Sequence, residues 1–282
     1  MRRRLPAKTV MPNPSPNPSP KPSPNPSPKL ALNASLPRKR LPAPTGWPWV
    51  VLALAGAAAA PAHAARPLAT DDAGALAHGI CEIEAAAGAT RLDEGSLRLR
   101  VRDSGALLAC GLPFAAQWGL AYARESAQGA SAQGLALTGK WQLWSAPGSD
   151  AAAVALSGAL TWARDSASGL GWRREGSQWR LIGTLPGPVL LLHANLGHAR
   201  AAEGGAKATL WGLAVEAQPV EAAGLGWAPL AEVYGDDRGQ RFTAAGLRLT
   251  VQPERLFVDT AFTRQRAGGN ARGWQAGLRW AF

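Results

Sequence analysis

Acidic residues are missing from the first 64 positions of this chain, cysteine occurs twice in 282 residues and histidine four times. A zinc site draws on about four ligands, and no Cys/His cluster surrounds Cys81 or Cys110, so metal binding is a poor reading of either. After residue 64 no apolar run approaches the roughly 20 residues that a membrane-crossing helix needs. Catalytic material is equally thin. His78, His193 and His198 are the imidazoles beyond residue 64, and no nucleophile elbow occurs. The Gly268-Gly269 pair falls in a predicted loop and lacks the strand-to-helix context of a phosphate-binding turn. His193 is placed mid-strand and facing inward; Ser157 is the hydroxyl it would have to activate, and nothing in the sequence shows that the two meet. We expect no catalytic residue, no metal and no cofactor.

What charge there is lies unevenly. The formal net charge is +11, but residues 1–64 hold 9 Lys/Arg, no Asp or Glu and 15 of the 23 prolines, whereas residues 65–282 hold 21 Lys/Arg against 19 Asp/Glu. Arg38-Lys39-Arg40, the apolar stretch from Trp47 to Pro61 and the small-residue triplet Ala62-His63-Ala64 have the order of a signal peptide cleaved before Ala65. The rival reading, a transmembrane anchor, fails because Val50 to Ala60 is too short and Pro61 interrupts it. The basic excess thus sits in a segment expected to be removed, and no nucleic-acid partner is expected. Upstream, the Pro-Ser-Asn repeat from Met11 to Lys29 cannot bury a core. Residues 1–37 are read as a low-complexity segment or a mis-assigned start, 38–64 as signal peptide, 65–78 as a short periplasmic segment and 79–282 as the folded domain.

That domain is built on alternation. Trp274, Ala276, Leu278, Trp280 and Phe282 share one face and Gly273, Gln275, Gly277, Arg279 and Ala281 the other, and a period of two means a strand. The same pattern recurs at Leu135 to Leu143, Val154 to Trp162, Leu190 to Leu196, Trp211 to Glu216 and Leu247 to Val251. The segments 79–90, 105–112, 114–124, 132–144, 151–164, 177–185, 188–199, 206–217, 225–234, 240–251, 256–264 and 272–282 predict about twelve strands, an even number suited to an all-β, antiparallel, up-and-down transmembrane barrel. Ser96 to Arg102 also alternates, which leaves the first hairpin open. The connections Gly111 to Pro113, Leu185 to Pro188 and Gln252 to Arg255 are tight; Arg164 to Gly176, Ala199 to Ala206 and Arg264 to Arg272 are longer and rich in charge, Gly or Asn. This matches short periplasmic turns and longer external loops, with Ala217 to Gly224 fitting less well.

Alternation alone is also compatible with a soluble barrel that keeps tryptophan in its core. The signal peptide, the terminal strand and the ten tryptophans beyond residue 64 favour apolar faces turned to lipid and aromatic rings at the headgroups. On that reading Glu82, Glu84, Lys140, Arg180, His193, Asn195, Glu216, Glu232, Arg248, Asp259 and Arg279 line a lumen of mixed charge. They either ring a solute path or fill a closed barrel with buried ion pairs. Cys81 opens the first predicted strand and Cys110 closes the second, so a periplasmic disulfide clamping the first hairpin is expected.

Particular residues carry a likeness. Arg66-Pro67-Leu68-Ala69-Thr70-Asp71-Asp72-Ala73-Gly74 leads into Cys81-Glu82-Ile83-Glu84, followed by Leu192-His193-Ala194-Asn195-Leu196-Gly197, Trp211 to Glu216, Ala231-Glu232-Val233-Tyr234-Gly235-Asp236-Asp237 and Gly246-Leu247-Arg248. The chain resembles, over most of residues 66–282, proteobacterial outer-membrane proteins similar to the transporter-like barrels of the phenol meta-degradation pathway type. The resemblance implies a Gram-negative outer-membrane barrel that passes small hydrophobic or aromatic molecules, and it carries over no substrate residue. Gly277-Leu278-Arg279-Trp280-Ala281-Phe282 is similar to the aromatic-ended terminal strand that the barrel-assembly machinery recognises, which makes Trp280 and Phe282 the assembly signal. The Pro-Asn-Pro-Ser repeat departs from the family pattern. The expected partners are outer-membrane lipid, the barrel-assembly machinery with periplasmic chaperones, and a small-molecule cargo; a closed structural or surface-interaction barrel is the alternative. Amino-terminal sequencing of the exported protein should begin at Ala65, and a start upstream of Arg38 would overturn the signal-peptide reading.

Overall fold

The computed structural model describes residues 68–94, 97–148 and 152–282. The low-complexity segment 1–37, the signal peptide 38–64 and its cleavage point lie outside the described residues. Among the described residues the chain forms thirteen strands: β1 (Cys81–Glu94), β2 (Leu97–Leu112), β3 (Ala116–Ala127), β4 (Ala130–Ser145), β5 (Ala153–Asp165), β6 (Arg173–Pro186), β7 (Leu190–Ala201), β8 (Lys207–Ala217), β9 (Val220–Ala222), β10 (Leu225–Asp236), β11 (Arg241–Gln252), β12 (Leu256–Ala267) and β13 (Ala271–Ala281). Neighbours in the chain pair antiparallel, and β1 pairs with β13 from Glu82↔Ala281 to Leu92↔Ala271, which closes the sheet on itself. The three-residue β9 continues β8 beyond Gln218 and Pro219, and both pair with β10. Proline has no N–H for the ladder, so one strand is counted as two pieces and the wall has twelve. The protein is a transmembrane antiparallel up-and-down β-barrel.

The polarity left open by alternation is decided by the register. Ile83, Leu108, Leu120, Leu137 and Leu160 face one another in turn across β1 to β5, and all five are exposed on the outer surface. Residues of the opposite parity along the wall point inward: Glu82, Glu84, Lys140, Arg180, Glu232 and Asp259 are buried. Leucine outside and carboxylate inside is the inverse of a soluble protein and the arrangement that hydrocarbon selects. Tryptophans mark both margins, with Trp118, Trp141, Trp144, Trp227 and Trp280 near the end that carries the barrel's termini and Trp162, Trp172, Trp211 and Trp274 near the distal end. Such rings sit at the headgroup level, where one part of the ring meets lipid and the N–H meets water.

Two expectations are corrected. Ser96 to Arg102 is not a separate element, since its described residues open β2, so β1 and β2 form a hairpin several residues longer than predicted at both strands. The distal loops are shorter than predicted, reduced to 166–172, 202–206 and 268–270. Charges such as Arg164, Arg200 and Arg264 end the apolar alternation but not the backbone ladder, because at a barrel rim they reach water at little cost. The awkward stretch Ala217 to Gly224 resolves into β9 and a two-residue turn, Ala223-Gly224, with φ of 54° and 75°. Positive φ at both central residues suits the twist of a tight hairpin. The described part of the segment read as 65–78 is folded into the lumen, where its polar backbone finds the partners it needs.

Leu137 lies mid-strand on the outer face. Leu137→Arg should lower stability by about 2–4 kcal/mol, and the same change at Leu143, near the rim, by less than about 1 kcal/mol. Equilibrium urea unfolding from lipid vesicles measures both, and equal costs at the two depths would contradict a membrane-embedded wall.

Candidate functional site

The lumen is assembled by side chains of one parity on each strand. Gln117, Lys140, Ser157, Arg180 and Gly197 form a continuous row across β3 to β7. On the opposite wall Arg248 of β11 donates through Nη1 to both carboxylate oxygens of Glu216 at 2.7 Å, and through Nε to Asp259 Oδ1 at 2.8 Å. Asp259 is only 1% exposed. One guanidinium thus bridges two carboxylates and offsets one of their two negative charges, and low-dielectric surroundings make that counter-charge necessary. Arg279 lies 4.1 Å over the Phe257 ring and 3.9 Å from Glu82 Oε2, joining the seam strands β1 and β13.

The other cations of the lumen hold the segment that precedes β1. Lys140 Nζ donates to Asp71 Oδ1 at 3.0 Å, to the Asp72 carbonyl at 3.0 Å and to the Gly74 carbonyl at 3.2 Å. Arg180 Nη1 donates to the Ala69 carbonyl at 3.0 Å. Glu232 accepts from the N–H groups of Ala69 and Thr70, each at 2.9 Å. Thr184 Oγ1 accepts from Ala73 N–H at 2.8 Å and lies 3.0 Å from His193 Nδ1. Gln117 accepts from Leu76 N–H at 2.9 Å. With its amide turned to satisfy both groups, Asn195 accepts from Asp71 N–H and donates to the Asp71 carbonyl. Leu68 is buried with Ala214 and Leu230, and Ala73 with Ala153, Ala155 and Ile182.

The wall is cut to admit this segment. A Cβ at Gly111 would strike the Ala77 carbonyl, and one at Gly212 would come within 2.5 Å of Thr70 Oγ1. Above the segment, a cavity of about 540 Å³ runs from Ala69 and Asn195 at mid-height to Arg238 and Gln240 at the distal mouth. Glu125, Glu175 and Gln178 line it, with Tyr234 and Phe242, whose rings stack 5.1 Å apart and 10° from parallel.

Every lumen candidate read from alternation faces the interior: Glu82, Glu84, Lys140, Arg180, His193, Asn195, Glu232 and Asp259 are buried, and Glu216, Arg248 and Arg279 are 13%, 14% and 22% exposed along their side chains. Cys81 and Cys110 are directly opposite in register and bonded at the terminal rim. Trp280 and Phe282, with rings 5.2 Å apart, end the closing strand on its outer surface. Ser157 and His193 are not brought together as a pair, for Ser157 faces Lys140 and Arg180 while His193 faces Thr184 and Ala214. Among the described residues no group of three His, Cys, Asp or Glu side chains is disposed to hold a metal. Sequence reading missed Asp71, Asp72, Thr184 and Gln117. The acidic pair ahead of β1 was a usable signal, because two adjacent carboxylates entering a lumen that holds Lys140 and Arg180 find counter-charges there. It also missed Asp103 and Glu125, inward residues that face each other across β2 and β3.

No family model matches the chain, and no curated protein matches it. Solved structures of similar shape include the following three. The β domain of the Bordetella autotransporter BrkA aligns at 15% identity over 72% of this chain and 99% of that one, with a TM-score of 0.49. The KdgM porin aligns at 9% identity over 71% and 99%, with a TM-score of 0.44. An outer membrane channel from Pseudomonas putida F1 aligns at 11% identity over 74% and 97%, with a TM-score of 0.47.

Arg248→Met should remove about 3–5 kcal/mol of stability, because Glu216 and Asp259 then stay buried without their counter-charge. Replacing all three residues by apolar ones of similar volume should cost far less. Heat-modifiable gel mobility and urea unfolding report both, and an unaffected Arg248→Met protein would mean that the triad is solvated.

Proposed function

We propose that the protein is a passive channel in the outer membrane of a Gram-negative bacterium, admitting small molecules, hydrophobic or aromatic ones among them. The observation that carries this reading is a lumen lined with charged and amide side chains behind an apolar exterior, with a cavity that reaches from the distal mouth to mid-height. The stacked Tyr234 and Phe242 rings on its wall offer a face for an aromatic solute, and the likeness of sequence to barrels of the phenol meta-degradation type supports the same class of cargo. In this reading export depends on the signal peptide ending at Ala64, the barrel's termini lie in the periplasm and the distal mouth faces outward. Periplasmic chaperones deliver the chain, and the barrel-assembly machinery recognises Trp280 and Phe282, both half-exposed on the outer surface of the strand that closes the sheet. No catalytic role is assigned to any residue.

A second reading has one observation in its favour. The segment 68–80 fills the terminal half of the lumen, as it would in a closed barrel whose role is structural or lies in contacts made by its external loops. Conductance separates the two. Protein reconstituted in planar bilayers should give discrete conductance steps, and liposomes that carry it should swell faster in solutions of small aromatic solutes than protein-free ones. Silence in both assays would leave the closed barrel standing.

A further inference from the structure

We propose that residues 68–80 are the gate of this barrel: an extended strap that shuts the terminal half of the lumen at rest and swings out on a fixed hinge when the channel opens. The proposal rests on the channel reading and concerns how that channel is closed.

The strap crosses the lumen rather than lining one wall. Its partners Gln117, Lys140, Arg180, Thr184, Asn195 and Glu232 come from β3, β4, β6, β7 and β10, so they are spread over the arc from β3 to β10, which takes in seven of the twelve wall strands. Ala69 and the strap's anchors Arg180 and Asn195 form the floor of the distal cavity, so a solute entering from the mouth meets the strap before it meets the terminal end.

The bonding changes character along the strap, and this gives the gate its moving part and its hinge. From Ala69 to Leu76 the contacts run between strap and wall side chains, with Ala69, Thr70, Ala73 and Leu76 donating N–H groups and Ala69, Asp72 and Gly74 accepting through carbonyls. None of these belongs to the barrel ladder, so the strap can leave without breaking a strand pair. At Gly79 and Ile80 the contacts become main-chain bonds to Gly111, at 3.2 and 2.8 Å. Gly79 stands at φ 83°, where a residue with a Cβ is disfavoured. Immediately beside it the Cys81–Cys110 disulfide pins β1 to β2. The hinge is therefore the turn at His78 and Gly79, and the bonded rim holds its base.

Little apolar surface resists the movement. Leu68 and Ala73 are the strap's side chains in buried apolar clusters, each in a separate one; the rest of the hold is polar, and water or ions can replace it. Lys140 is the main latch, since one ammonium serves three strap oxygens, and hydrogen bonds from a charged donor are the stronger kind.

The test ties the strap down and unlatches it. Thr70 Cβ lies 3.5 Å from where a Cβ on Gly212 would stand, within the separation that a disulfide spans. The Thr70→Cys/Gly212→Cys protein should insert normally, lose its conductance steps when oxidised and regain those of the unsubstituted protein on reduction, which also serves as its folding control. The unsubstituted protein in the same reductant controls for Cys81–Cys110. Lys140→Met should raise the ratio of open to closed time by on the order of tenfold. If tethered, reduced and unsubstituted proteins all conduct alike, the strap is not in the solute path and the gate is overturned while the channel remains. If none conducts, including a protein lacking residues 65–78, the channel reading fails and the gate with it.

Discussion

A strand set in hydrocarbon has no water to satisfy its backbone, so the last open edge of the sheet must find a partner within the chain. Here the partner is supplied by the ladder between β1 and β13, extended at its end by main-chain bonds between Cys81 and Phe282 at 3.0 and 2.8 Å. The Cys81–Cys110 bond secures the first hairpin beside that seam. Everything else follows from closure. Once the sheet is a cylinder, each strand has an inner and an outer face, and alternate residues meet opposite solvents. The chain therefore tolerates Leu196 and Trp274 on its surface, both more than half exposed, only because that surface is lipid.

Closure also creates the interior's problem, which is how to keep charge in a confined space. Two solutions occur side by side. Around β8, β11 and β12 the wall supplies its own counter-charge, with Arg248 shared between Glu216 and Asp259. Around β4, β6 and β10 the wall is completed by the chain's own strap, which brings Asp71 to Lys140, the Ala69 carbonyl to Arg180 and the N–H groups of Ala69 and Thr70 to Glu232. The second solution is reversible in a way the first is not, because the strap is attached at one end only among the described residues, whereas the triad is built into the wall.

Much of the wall was legible because a period of two is a local property. The inward residues Glu82, Lys140, Arg180, Glu216, Arg248 and Arg279 were all named from parity, and parity survives errors of several residues in strand ends. The ends themselves were not legible. Arg164, Arg200 and Arg264 interrupt the apolar face without interrupting the hydrogen-bond ladder, and side-chain pattern carries no information about backbone pairing at a wetted rim. The strap was invisible for another reason: Leu68 to Gly74 has no period, and its partners lie between about 40 and 160 positions away along the chain, as the 41-residue span from Leu76 to Gln117 and the 163-residue span from Ala69 to Glu232 illustrate.

The sequence by itself determined that this is a strand protein of about twelve alternating segments, with one set of faces greasy and the other polar, and with two cysteines placed to bridge its first hairpin. Local repetition is enough for that, since each face is written every second residue. Where the wall closes, and that an acidic segment lies inside the lumen against Lys140 and Arg180, were decided by tertiary structure alone. Those outcomes depend on curvature and on contacts between distant parts of the chain, and no window of neighbouring residues contains them.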